Sequence, residues 1–145
     1  MQAEAKENLK SILVFLGVIV SVFVLNFALK SVFQPSGIFY LQLLSEVREI
    51  NKVSPYMLDS ETRLDNARVK PFNTVQYNYT LVNYEKKDLD VDILKKELKS
   101  MIIHMYKTSP DLEAFREHGT TVIYHYQDKN GVELFELKIH AGDYR

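Results

Sequence analysis

Residues 74–83 read TVQYNYTLVN. Val75, Tyr77, Tyr79 and Leu81 alternate with Gln76, Asn78 and Thr80. Side chains of a β-strand point to opposite faces in turn, so this stretch predicts a strand with one apolar and one polar face. The apolar face calls for a covering layer, and the flanking sequence supplies it. Downstream, Val91, Leu94, Leu98, Met101, Ile102 and Met105 recur at helical spacing over about residues 90–107 and form one apolar stripe. Asp88, Asp90 and Asp92 enrich its start, where the helix dipole favours anions. A shorter helix is predicted in PDLEAFREHG, residues 110–119, with proline at its start and glycine just past its end.

Two further strands follow. TTVIYHYQ (residues 120–127) and VELFELKIH (residues 132–140) flank Asp128-Lys129-Asn130-Gly131, and an Asn-Gly pair between alternating runs is a hairpin signal. Phe135, Leu137 and Ile139 share one face of the last strand. Upstream, SETRLDNARV (residues 60–69) is an irregular strand candidate joined to the quoted strand by the turn KPFN, residues 70–73. Before it, Tyr40, Leu43, Leu44, Val47 and Ile50 recur at spacings of three and four, predicting an amphipathic helix that ends ahead of Pro55. The order helix-β-β-α-β-β predicts an α+β domain in which a four-stranded antiparallel sheet carries a packed helix on one face.

The N-terminal part reads differently. Residues 11–29, SILVFLGVIVSVFVLNFAL, hold no charge and would span roughly 28 Å as a helix, close to the bilayer core. The run exceeds the hydrophobic region of a cleaved signal peptide and is apolar on every face, so a single N-terminal transmembrane helix is expected. Lys6 and Lys10 precede it and Lys30 follows, a bias towards a cytoplasmic N-terminus. The expected division is a cytoplasmic segment at 1–10, a transmembrane anchor at 11–30, a juxtamembrane connector at 31–45 and an extracytoplasmic α+β domain at 46–145. In that reading the chain is a single-pass, signal-anchored protein of a bacterial inner membrane with its domain in the periplasm. Gly17, Ser21 and Ala28 fall near one face of the span, where small residues permit close helix approach, although a Val/Phe-rich anchor also places such residues by chance.

Residues 58–65 (LDSETRLD), 77–83 (YNYTLVN) and 124–131 (YHYQDKNG) together resemble small bacterial envelope domains tethered by a lipid or a single helix. The resemblance implies a location and a fold over about residues 50–140, and carries no functional residues. Some such domains hold a cysteine pair near the positions of Lys107 and Tyr144, which this chain lacks.

The 18 basic and 19 acidic residues are spread without blocks, which points away from nucleic acid as a partner. The absence of cysteine excludes thiol nucleophiles and zinc ribbons. No two of His104, His118, His125 and His140 have HExxH spacing, no serine sits in GxSxG, and Asp88, Asp90 and Asp92 lack the glycine and glutamate of a calcium loop. No catalytic residue, metal site or cofactor is therefore expected. What remains is a polar sheet surface: Gln76, Asn78 and Thr80, joined by Ile123, His125 and Gln127 where neighbouring strands bring them together, form the candidate binding face. The expected function is a membrane-anchored, non-enzymatic interaction or accessory subunit of a bacterial envelope complex, with the membrane and another membrane or envelope protein as partners. The alternative is a tethered ligand- or toxin-binding domain of immunity-protein type, and an enzyme of unknown type ranks third.

Overall fold

The structure, a computed structural model, describes residues 36–145. The chain forms helix α1 (Ser36–Val53), strands β1 (Tyr56–Met57), β2 (Thr62–Lys70) and β3 (Thr74–Leu81), helices α2 (Val91–Thr108) and α3 (Glu113–His118), strands β4 (Thr121–Asp128) and β5 (Glu133–Ile139), and a closing turn of helix α4 (Ala141–Tyr144). The sheet has the spatial order β1-β2-β3-β4-β5.

Two features correct the expected four-stranded antiparallel sheet. The first is a fifth strand, β1, which pairs antiparallel with β2 through Tyr56↔Leu64 and Met57↔Arg63. Its two residues are too few to show alternation in sequence. The second is that β3 and β4 run parallel, from Thr74↔Thr121 to Leu81↔Asp128. The reason is metrical. An 18-residue α2 spans about 27 Å and an 8-residue β3 about 26 Å, so the helix carries the chain back to the end of the sheet where β3 began. Strand β4 then leaves in the same direction, as a crossover of this length allows. The result is a mixed five-stranded sheet.

The predicted anchor is corrected as well. Among the described residues no helix is long and apolar enough to cross a membrane. Residues 11–30, with Gly17, Ser21 and Ala28, lie outside the described residues. The single-pass, signal-anchored, inner-membrane and periplasmic assignment thus has no helix to rest on among them.

Helix α2 forms where its stripe predicts. Asp90 caps its start by accepting the Ile93 N–H at 3.1 Å, and Leu94, Leu98, Ile102 and Tyr106 are buried at intervals of four. Helix α1 buries Phe39, Leu43 and Val47, of which Leu43 and Val47 belong to the expected stripe, while Tyr40 is left 43% exposed. The Phe39 ring stacks on His118 at 4.0 Å and meets Phe115 edge-on at 6.3 Å. On the apolar side of the sheet, Tyr77 and Tyr79 of β3 neighbour Tyr124 and Tyr126 of β4, with ring separations from 5.1 Å for Tyr79 and Tyr126 to 6.3 Å for Tyr79 and Tyr124. Tyr106 of α2 reaches down to share a hydroxyl–hydroxyl hydrogen bond of 3.1 Å with Tyr124.

The β4–β5 connection turns where Asn130-Gly131 predicts, with Gly131 at φ 79°. Asp128 organises it: Oδ1 accepts the N–H groups of Asn130 and Val132 at 2.8 and 2.9 Å, and Oδ2 accepts that of Lys86 at 3.0 Å. Burial raises the Asp128 pKa, but these three backbone donors and the nearby Lys129 charge outweigh it and hold the carboxyl below the ordinary aspartate value. A depressed carboxylate stabilises the fold above its unfolded pKa of about 4, and that contribution is lost as pH falls through the folded value. Asp128→Asn is therefore expected to lower the melting temperature at neutral pH and to flatten its decline below pH of about 4. Parallel declines in the two proteins would show that Asp128 does not carry the acid limb.

Candidate functional site

The face of the sheet opposite α2 is polar, and strand register arranges it as a grid. Arg68, Gln76, Ile123 and Lys138 form one row across β2, β3, β4 and β5. Asn66, Asn78, His125 and Glu136 form the next, and Arg63, Thr80, Gln127 and Glu133 the third. The six residues expected from the sequence are the two central columns. Parallel pairing places them side by side as Gln76↔Ile123, Asn78↔His125 and Thr80↔Gln127.

Side-chain hydrogen bonds tie the grid together. Gln76 Nε2 donates to Asn78 Oδ1 at 2.6 Å, and Asn78 Nδ2 donates to Asn66 Oδ1 at 2.6 Å. In the third row Asp65 is the common acceptor, taking the Thr80 hydroxyl at 2.6 Å and Gln127 Nε2 at 3.3 Å, while its other oxygen pairs with Arg63 Nε at 2.6 Å. Gln127 Nε2 also donates to Thr80 Oγ1 at 2.9 Å. Asp65 reaches this face because β2 bulges between Leu64 and Asn66. The extra residue turns a side chain out of strict alternation and into the polar row.

Two positions on this face are buried. Gln76 is 7% exposed, yet its Oε1 is buried with no hydrogen-bond partner among the described residues. Beside it Ile123 is an apolar member of an otherwise polar face and is 5% exposed. His125 Nε2 lies 3.6 Å from Glu133 Oε2, an ion pair when the imidazole is protonated. Charge is graded along the strands. Arg68 and Lys138 end the row nearest the β2–β3 turn, whereas Asp65, Glu133 and Glu136 lie in the rows farther from it. Among the described residues no group of three or more His, Asp or Glu is arranged to hold a metal ion. The face offers hydrogen-bond donors, acceptors and charges, held in place by their neighbours.

Sequence reasoning missed Arg63, Asp65 and Asn66, because the bulge breaks the alternation of β2 that would have assigned them to a face. It also passed over Glu136 and Lys138, although their alternation with Phe135, Leu137 and Ile139 was visible.

A family model described as "Domain of unknown function (DUF8479)" matches residues 40–135, which span α1 through the middle of β5. The chain belongs to this family. The DUF8479 match contains all six central residues of the grid together with Arg63, Asp65, Asn66, Arg68 and Glu133, while Glu136 and Lys138 fall beyond it. No sequence among the curated proteins matches the chain. The fold is similar to the crystal structure of a Pseudomonas aeruginosa protein taken to be secreted, with a TM-score of 0.59 and 10% identity over 78% of this chain and 99% of that one. At that identity the likeness is one of fold.

Proposed function

We propose that this domain is a non-enzymatic interaction module, an accessory subunit of a bacterial envelope complex, that takes a protein partner on the polar face of its sheet. The observation that supports it is the in-register pairing of Gln76 with Ile123, Asn78 with His125 and Thr80 with Gln127, inside a grid whose side chains are already hydrogen-bonded to one another. Such pre-ordering reduces the rotamer entropy lost on association, about 0.5–1.5 kcal/mol for each flexible side chain.

The test is recovery of crosslinked complexes from cells that make the full chain, compared with a Gln76→Ala/His125→Ala double variant. Recovery is expected to fall at least tenfold, with the melting curve of the variant confirming that it is folded. Equal recovery from a folded variant would remove the polar face from the proposal.

A further inference from the structure

The β2–β3 turn carries an observation that the polar face does not explain. Phe72 is 96% exposed, the most exposed of the large apolar residues described, and it sits at φ 60°. Left-handed backbone is normally left to glycine, asparagine or aspartate, because a Cβ there crowds the following carbonyl. Asn73, at φ 51°, fits that habit and Phe72 does not. The turn gains nothing in packing from the ring, which stands in solvent.

The conformation is nevertheless fixed from both sides. Asn73 Nδ2 donates to the His118 carbonyl at 2.7 Å, and the Asn73 carbonyl accepts the Thr121 N–H at 3.0 Å. The Thr74 hydroxyl donates to the Phe72 carbonyl at 3.2 Å. Strained residues persist where their surroundings over-determine them, and they concentrate at sites of function. The charged residues nearest the ring along β2, Arg68 and Lys70, which precede it, are both basic. Among the described residues neither of these two forms an ion pair with a carboxylate.

We infer that the β2–β3 turn is a docking site in its own right, where the Phe72 ring enters an apolar pocket rimmed by carboxylates on a second, acidic protein. The charge selects an acidic partner, and the fixed backbone, which sets the direction in which the side chain leaves the turn, selects a protein. A bilayer surface is fluid and does not read the direction of one side chain, whereas a pocket does, and a buried aromatic at the centre of an interface carries a large share of its binding energy. The basic residues around it act on encounter rate and on salt dependence. This surface lies at the turn end of the sheet and does not rest on the polar face binding anything.

The experiment places a photoreactive group at the ring by Phe72→p-benzoylphenylalanine in the full chain, with irradiation in cells that make it. The expected product is one adduct with a different protein, its crosslinked peptide lying beside Asp or Glu residues. Titration of that purified protein should then show a Kd raised at least tenfold by Phe72→Gly, which suits the backbone angle and keeps the fold. A Lys70→Glu/Arg68→Glu variant should lose most of the salt dependence. An adduct with phospholipid, with a second copy of this chain or with many proteins would overturn the proposal, as would an unchanged Kd for Phe72→Gly. The Gln76→Ala/His125→Ala variant should retain the Phe72 adduct; its loss there would merge the two surfaces and overturn a separate site.

Discussion

Above pH 10, the ordinary tyrosine value, the domain is expected to unfold within about two pH units, driven by its own buried tyrosines. Tyr79, Tyr106, Tyr124 and Tyr126 are all buried in the core cluster. Loss of water around their hydroxyls is the main cause that pushes each pKa up, and neighbouring groups add to it: Tyr126 beside Tyr79, Tyr106 beside Tyr124, and Asp59 beside Tyr126. In the Tyr106–Tyr124 pair one hydroxyl must donate, so ionising either also breaks the bond between them. The unfolded chain releases its protons near pH 10 while the folded chain retains them. Stability therefore falls as pH rises, by about 1.4 kcal/mol per pH unit for each tyrosine once the unfolded side chain is ionised. Four acting together amount to about 5.5 kcal/mol per unit, against a total of about 5–15 kcal/mol for a domain of this kind. Circular dichroism and tyrosinate absorbance followed in one titration give the check. The major absorbance step should coincide with the loss of secondary structure, and complete ionisation of an intact fold would contradict the buried ladder.

That ladder also shows how far the sequence could be read. Alternation in residues 74–81 and 121–127 separated the tyrosines from Gln76, Asn78, Thr80, Ile123, His125 and Gln127, because period two is a local property of the chain. The stripe through Leu94, Leu98 and Ile102 was local in the same sense. Which strand lies next to which, and in which direction, is decided by the distance that α2 covers, and no residue within β3 or β4 encodes it. The bulge at Asp65 erased the alternation of β2, so the residue that accepts from Arg63, Thr80 and Gln127 went unassigned. That α1 buries Phe39 and not Tyr40 depends on Phe39 meeting His118 and Phe115, contacts about eighty residues away in sequence. Phe72 was passed over for a related reason: KPFN announces a turn, but a positive φ at phenylalanine is a demand of the surrounding structure that composition does not disclose.

Leu98→Ala is expected to lower the unfolding free energy by about 3 kcal/mol and the melting temperature by about 10–20 °C. Leu98 is 1% exposed at the middle of the α2 stripe, between Leu94 and Ile102, in the core beneath the sheet. Truncation removes the transfer energy of the lost methyl and methine groups and leaves a cavity that flanking β-sheet and helix cannot both close. Ile93→Ala on the same helix is the control: 47% exposed, it should cost less than about 1 kcal/mol. Urea denaturation measures both, and an unchanged slope would show that the loss is one of stability and not of cooperativity. The consequence for function follows from the layering. Helix α2 lies on the face opposite the Asn78–His125 grid, and the β2–β3 turn is fixed by Asn73, Thr74, His118 and Thr121, none of which belongs to α2. Below its lowered melting point the Leu98→Ala protein should therefore retain both the crosslinked complexes and the Phe72 adduct. A loss of either in the folded variant would mean that the core and the binding surfaces are coupled through the sheet, whereas a stability loss below about 1 kcal/mol would mean that α2 does not bury its stripe as the structure has it.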